Sequence, residues 1–533
     1  MRKRRPFRVL LITIVAAATT LAGCSVPSPA GGPTDAGQSI VIGAGSEQEN
    51  LNPILGYAPD GASKVFDGLV ARDASLKLVP ALADPVPVAS PDGLTYTATL
   101  RPGVTFSDGT PLTAQDVVFT YQSVLNPAVN STIASNYDAL ASVTVPDDRT
   151  VVFTLTYPYA PFDQRLLLGI VPAKAFDGVD INTAPFNTAP IGTGPYVVQE
   201  WRKGDRMVLT ANENYWGGAP AVKTATLIYV SDDNVRATRM AAGDFDVTVL
   251  PPKLAKSYAG REGYQVLESP SADYRGLGIP SELPFTADPK VRLAINHGIN
   301  RQAMIDTVLA GTGLPAATPI SPYLEQWYDK DATFAFDPTR AGQLLDEAGW
   351  VAGPDGKRAK DGIVAQLPIL YPAADVLRKE LALAAASDIA RLGIDAPAEG
   401  TTFEVMLARQ QETASLWGGG DPYDPDSAAY TLLHSKYIGQ EGYVNMTHYR
   451  DPAVDAALDT GRNSVDPAVR EQAYDAFQTA YVADPGWAFL VFLDHTYVLR
   501  NGWSGQVEQV EPHDHGLLHG VWWNLEDWAP TAS

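Results

Sequence analysis

PDGLTYTATLRPGVTFSDGTPLTAQDVVFTYQSVL, residues 91–125, decides the fold class. Thr95 to Leu100 alternate and are rich in β-formers, which predicts a strand. Asp108-Gly109 is a turn pair. Thr113-Ala-Gln-Asp116 has capping-box spacing, with an acid three residues after a threonine, and leads into VVFTYQSVL. A strand, a turn and a capped helix in immediate succession point to a mixed α/β or α+β chain.

The same signals recur on both sides. Strands are predicted at 150–156, 195–200, 206–210, 224–230 and 246–250. Asp288-Pro289, Asp337-Pro338, Asp451-Pro452 and Asp466-Pro467 each set a cap acceptor before a proline at the first helical position. After Asp466, Val469, Ala473, Phe477 and Tyr481 fall on one helical face. Leu344, Leu345 and Ala348 do the same after Asp337, and Gly349 stands where a left-handed cap is wanted.

With 533 residues, 45% hydrophobic and 19% charged, the chain is globular and too long for one core. Arg2 to Arg8 followed by a short apolar run to Ala22 fit an export signal. Arg4-Arg5-Pro6-Phe7 is a partial twin-arginine pattern and leaves the export route open. The sole cysteine, Cys24, closes Leu21-Ala22-Gly23-Cys24, which resembles the lipobox of bacterial lipoproteins. Residues 25–37 are small and turn-forming, suited to a tether. Loss of the five cationic signal residues takes the net charge from −22 to −27, which disfavours nucleic acid as a partner. The mature body would contain no disulfide.

Catalytic motifs are missing: no His-Glu-x-x-His, no nucleophile elbow and no phosphate loop. Gly192-Thr-Gly194 lacks the third glycine of a dinucleotide fingerprint, and a tight turn before a strand is expected there. His513, His515 and His519 cluster near the C-terminus, where either metal ligation or an exposed loop would suit them. His434 and His448 are expected to be structural. WGGGDPYDPD, residues 417–426, lacks calcium-loop spacing. Its glycines are expected to let the backbone bend, and Pro422 and Pro425 to stiffen it.

An ordered set of motifs resembles the extracytoplasmic solute-binding proteins, family 5, of importers driven by ATP-binding cassettes. The set is Leu78 to Ala83, residues 91–119, Gly192-Thr-Gly-Pro-Tyr196, Asn214-Tyr-Trp-Gly-Gly218, Asp288 to Ala294 and Ala341 to Trp350. Two departures are Gly298-Ile-Asn-Arg301, where the family usually has Ala-Ile-Asp-Arg, and Leu277-Gly-Ile279, which replaces an asparagine-containing strand.

The resemblance implies an α/β, two-lobed, periplasmic-binding-protein-like fold of type II with an extra subdomain and a ligand cleft between the lobes. The expected division is signal 1–23, tether 24–37, first lobe 38–58 with 186–270 and 500–533, extra subdomain 59–185, and second lobe 271–499. It implies a monomer that binds a peptide, with nickel chelate, haem or oligosaccharide as alternative cargo, and that partners importer permease subunits. Lipid on Cys24 would hold it to the outer face of the cell membrane. Asp421, Asp424 or Asp426 would accept a ligand amine, Trp417 and Tyr423 would line the cleft, and Arg275 would meet a ligand carboxylate. No cofactor, no metal and no catalytic residue are expected. The competing readings are a hydrolase using the terminal histidines and a sensory or adhesive lipoprotein.

Overall fold

The computed structural model describes residues 38–440, 442–513 and 519–531. The lipidation candidate Cys24, the signal, the tether and His515 lie outside the described residues.

Residues 91–125 fold as their pattern requires. The strand Thr95–Thr99 pairs antiparallel with Thr150–Leu155, which pairs antiparallel with Leu140–Asp147. Alternate side chains of Thr150–Leu155 are buried, so one face of this small sheet supplies the core. The helix Ala114–Val124 covers that face, with Tyr121 edge-on to Phe153 at a ring separation of 4.9 Å. Asp116 fixes its start. One carboxylate oxygen accepts the Thr113 amide at 2.8 Å and the Thr113 hydroxyl at 2.6 Å; the other accepts the Ala173 amide at 2.8 Å. Phe153 is fully buried here, and its removal would cost about 3–5 kcal/mol.

Among the described residues, eleven strands form the main sheet. Along its path lie Ala398–Thr401, Ile369–Pro372, Ala414–Gly419, Tyr264–Gly278, Trp487–Arg500, Val247–Val249, Ser39–Ala44, Thr224–Tyr229, Arg206–Ala211 and Tyr196–Arg202. Leu314–Pro315 pairs off the path with Trp487–Arg500. The two long strands, Tyr264–Gly278 and Trp487–Arg500, run antiparallel at the centre and join two hydrophobic bodies. Ile40, Ile42, Phe153, Leu227 and Leu499 belong to the first core, and Leu277, Ile369, Leu416 and Leu490 to the second. A third cluster around Trp417, Tyr474 and Trp487 extends the second body.

Residues 59–185 share one continuous core with Ile40 and Ile42, so the extra subdomain has no separate interior. The strand Trp487–Arg500 runs from one body into the other: Tyr497 and Leu499 belong to the first core, and Leu493 to the second. A strand that spans two bodies carries no composition break at the crossing.

The four Asp-Pro starts all cap helices: Pro289–Gly298, Pro338–Glu347, Pro452–Asn463 and Pro467–Ala483. Gly349 adopts φ +85°. Asn300, in the place of the family's aspartate, still caps Arg301–Thr307 by accepting the Ala303 amide at 3.0 Å. Among the described residues no helix is long and apolar enough to cross a membrane.

The long pair slips register between Pro270 and Tyr274. Ser271 leaves the ladder and forms a parallel bridge with Glu511 instead. The Ala272 amide donates to the Glu511 carbonyl at 2.8 Å, and the Glu511 amide to the Pro270 carbonyl at 2.9 Å. This slip turns Asp273 and Arg275 toward the space between the two bodies.

Candidate ligand cleft

The strand Ala414–Gly419 ends at the cleft. Gly420 turns the chain with φ +106°, and a Cβ there would stand 2.2 Å from the Ala272 carbonyl oxygen. Only this glycine bends the backbone. Gly418 and Gly419 lie within the strand, so the expected three-residue hinge is a single turn. Pro425 opens the helix Pro425–Leu433, with Asp424 as its cap. The segment is thus a strand end, a short turn and a helix start.

Its three aspartates have different fates. The Asp424 carboxylate accepts the Asp426 amide at 2.9 Å and pairs with Arg470 at 2.7 Å and 2.8 Å. Asp426 is fully buried and bidentate with Arg462, both contacts at 2.8 Å, and accepts the Tyr159 hydroxyl at 3.3 Å. Both carboxylates are therefore already neutralised, which corrects their candidacy as amine acceptors. Asp421 has no ion pair among the described residues. Its Oδ1 accepts the Tyr423 amide at 3.0 Å and the Ser427 hydroxyl at 3.2 Å. Burial pushes its carboxyl up to about 6, against the pull of those hydrogen bonds and of the Arg72 charge.

Two cavities of about 330 Å³ and 370 Å³ lie between the bodies. Asp421, Tyr423, Arg72, Gln164 and Arg462 line the first. Arg275, Arg378, Arg236, Phe403 and Ser46 line the second, and His513 lines both. Trp417 lines neither. It is 4% exposed, packed against Phe403 and Tyr443 at ring separations of 6.1 Å and 5.7 Å. An indole that fills the core behind Gly418 has no face left for a ligand, so the expected stacking role of Trp417 is withdrawn.

Arg275 stands opposite Gly418 in the ladder and pairs with Asp273. Asp273 is the centre of a buried charge knot. It also meets His495 Nε2 at 3.0 Å and His513 Nδ1 at 2.8 Å. Glu511 meets His495 Nδ1 at 2.6 Å and accepts the Tyr497 hydroxyl at 2.5 Å. Burial would raise Asp273, but the Arg275 and His513 charges hold it well below the usual range. Burial would lower His495; its two carboxylate partners outweigh that and raise it to about 10. Burial lowers His513, and the Arg275 and Arg378 charges push the same way.

His513 and His519 are not exposed. His519 pairs with Asp60 at 2.8 Å and is 8% exposed. Among the described residues no group of three or more His, Cys, Asp or Glu side chains is placed to hold a metal. His434 and His448 are held by Asp459 and Glu282. Sequence reasoning missed Arg72, Asp273, Arg378, His495 and Glu511. The i, i+2 spacing of Asp273 and Arg275 was a signal for one of these, since alternate strand residues share a face.

The sequence model of bacterial extracellular solute-binding proteins, family 5 (middle region), matches residues 77–440. The chain belongs to this family. Family 5 members are binding proteins that work outside the cytoplasm, and the chain is similar to Protein XP55 of Streptomyces lividans, with 48% identity covering 95% of this chain and 94% of the relative. The crystal structure of NikZ from Campylobacter jejuni with Ni(L-His) superposes with a TM-score of 0.85 at 29% identity, covering 92% of this chain and 99% of NikZ. The oligopeptide-binding protein AppA of Bacillus subtilis, solved with a nonapeptide, gives 0.80 at 25% identity, covering 93% and 99%. Both are two-lobed, and the two hydrophobic bodies described above are the lobes of this family-5 chain.

Proposed function

We propose that this family-5 protein captures a peptide between its lobes and delivers it to an ATP-binding-cassette importer. Lipid on Cys24 holds it, as a monomer, at the outer face of the cell membrane. The reading rests chiefly on Asp421. A half-buried carboxylate with no ion pair among the described residues, and only the nearby Arg72 charge to offset its burial, favours the arrival of a cation, and the ligand's ammonium is that cation. Asp424 and Asp426, locked to Arg470 and Arg462, brace the turn that presents it. Tyr423 lines the same cavity, and Arg275 meets the ligand's carboxylate in the adjoining one. The nonapeptide in AppA supports the peptide class.

The likeness to NikZ with Ni(L-His) favours a second reading, a nickel–amino acid chelate, which also offers an amine and a carboxylate. Mass spectrometry of ligand carried through native purification separates the two. A mixture of short peptides is expected; one metal chelate, or a sugar, overturns the peptide reading.

A further inference from the structure

A third cavity, of about 550 Å³, opens where residues 59–185 of the first lobe meet the second lobe. Leu76, Leu78, Val86 and Ala89 from the first lobe and Trp327 and Val465 from the second give it apolar walls. The lobes touch at its rim, since a Cβ built on Gly93 would stand 2.9 Å from Val465 Cγ1. Gln164 lines both this chamber and the cavity of Asp421. Its neighbour Asp163 lines the chamber from the same short helix, Ala160–Leu167. Asp163 has no ion pair among the described residues. Gln164 Nε2 donates to Asp163 Oδ1 at 3.1 Å, which orients the amide and leaves Gln164 Oε1 buried without a partner among the described residues. The cations nearby are engaged elsewhere or stand at the mouth. Arg470 donates to both Asp424 oxygens and to the Gly461 carbonyl. Arg72, whose charge acts on Asp163, lies over Tyr423, and Lys77 is exposed. Burial, and then the Asp424 charge from the opposite lobe, raise Asp163 to about 6.

We propose that this chamber receives the side chain of the ligand's first residue, and that Asp163 with the Gln164 carbonyl oxygen selects a basic one, lysine or arginine. With the ligand amine at Asp421, the first side chain is the group that starts beside Gln164 and can pass into the chamber. The apolar walls suit its methylene stem, and the carboxylate and the amide oxygen accept hydrogen bonds from its charged head. A cation there also separates the Asp163 and Asp424 charges that the two lobes bring together. The proposal rests on the peptide reading for the place of the amine, though not for the chemistry of the chamber.

The test uses the full chain at about pH 7.5, where Asp163 and Asp421 are both ionised, with calorimetric titration of Lys-Ala-Ala, norleucyl-Ala-Ala and Gly-Ala-Ala. In the wild type the lysyl peptide should bind at least about tenfold tighter than the norleucyl one, which carries the stem without the charge. In Asp163→Asn that ratio should fall to within about twofold. Ala89→Trp leaves every charge in place but fills the chamber, and should bring all three peptides within about threefold of one another. It decides the matter if Asp163→Asn does not fold by circular dichroism. Equal binding of the lysyl and norleucyl peptides by the wild type, or survival of the ratio in a folded variant, overturns the assignment and leaves peptide binding intact. If no peptide binds, the peptide reading fails. Pentylammonium then decides: a rise in wild-type Tm that is lost in Asp163→Asn supports the chamber, and no rise, or one that the variant keeps, overturns it.

Discussion

The Arg72 guanidinium lies over the Tyr423 ring, 3.6 Å from its centroid, and the two residues come from opposite lobes. Arg72 ends the strand Val70–Arg72 of the first lobe, and Tyr423 sits in the turn beside Asp421. The stack closes the cleft at the point where the ligand amine is expected.

A desolvated cation–π contact contributes about 2 kcal/mol. Because this one exists only when the lobes meet, it acts on the closed state, and its loss should appear in the dissociation rate. Arg72→Ala and Tyr423→Leu should each speed peptide release by about tenfold or more, and Tyr423→Phe should not. Stopped-flow dissociation checks this. Equal release from all three variants would mean that closure does not depend on the stack.

Affinity should depend on pH through Asp421. Its carboxyl titrates at about 6 in the empty cleft, above the ordinary 3.8, so the folded protein holds a proton there that the unfolded chain releases. An ammonium ligand needs the anion, so that proton must leave on binding. Affinity for an unblocked peptide should be flat above about pH 7 and weaken about tenfold per unit below about pH 6. The empty protein, by the same linkage, gains stability relative to Asp421→Asn as pH falls from about 6 toward 4. Asp163, raised to about 6 by burial and the Asp424 charge, titrates in the same window. Asp421→Asn therefore carries the test: it should abolish the pH slope together with most of the affinity in calorimetry from pH 5 to 8. A slope that survives would assign the proton to Asp163.

Much of the fold was legible because its signals are local. Thr113 and Asp116 form their cap within one turn, and each Asp-Pro pair states a helix start by itself. The site was legible only in part. The segment 417–426 was found, yet which aspartate is uncommitted depends on Arg462 and Arg470, tens of residues away. Trp417 looked like a ligand platform because tryptophan offers a face. Only packing against Phe403 and Tyr443 shows that the face is taken. Arg378 gives no sign at all in sequence. It becomes a site residue because parallel pairing of Ile369–Pro372 with Ala414–Gly419 brings its helix, Val376–Arg391, beside Gly418.

The Asp426–Arg462 pair should matter more for stability than for binding. Asp426 is fully buried, and Arg462 also lies 3.4 Å over Tyr430. Removing the cation alone leaves a buried anion with a single remaining hydroxyl donor, Tyr159. Arg462→Ala should cost about 3–5 kcal/mol in urea unfolding, and Asp426→Asn paired with Arg462→Met markedly less. Equal losses in the single and double variants would show that the pair contributes through packing and not through charge.

The knot at the strand crossing predicts an alkaline limit to stability. His495 touches Asp273 through one nitrogen and Glu511 through the other, and so ties the strand Tyr264–Gly278 to the segment around Glu511. Its imidazole is raised from 6.5 to about 10, so at neutral pH it is a cation in the folded state and mostly neutral in the unfolded one. The stability it contributes is complete below about pH 6.5 and is lost as pH rises through about 10. Arg275 and His513, which also meet Asp273, and the Tyr497 hydroxyl, which donates to Glu511, cannot replace both of its bonds. Wild-type Tm should therefore fall more steeply between pH 7 and 10 than that of His495→Gln, which starts lower and lacks the titrating group. Scanning calorimetry at half-unit steps measures the two slopes; parallel curves would refute a charged His495 and leave the knot held by Arg275, His513 and Tyr497.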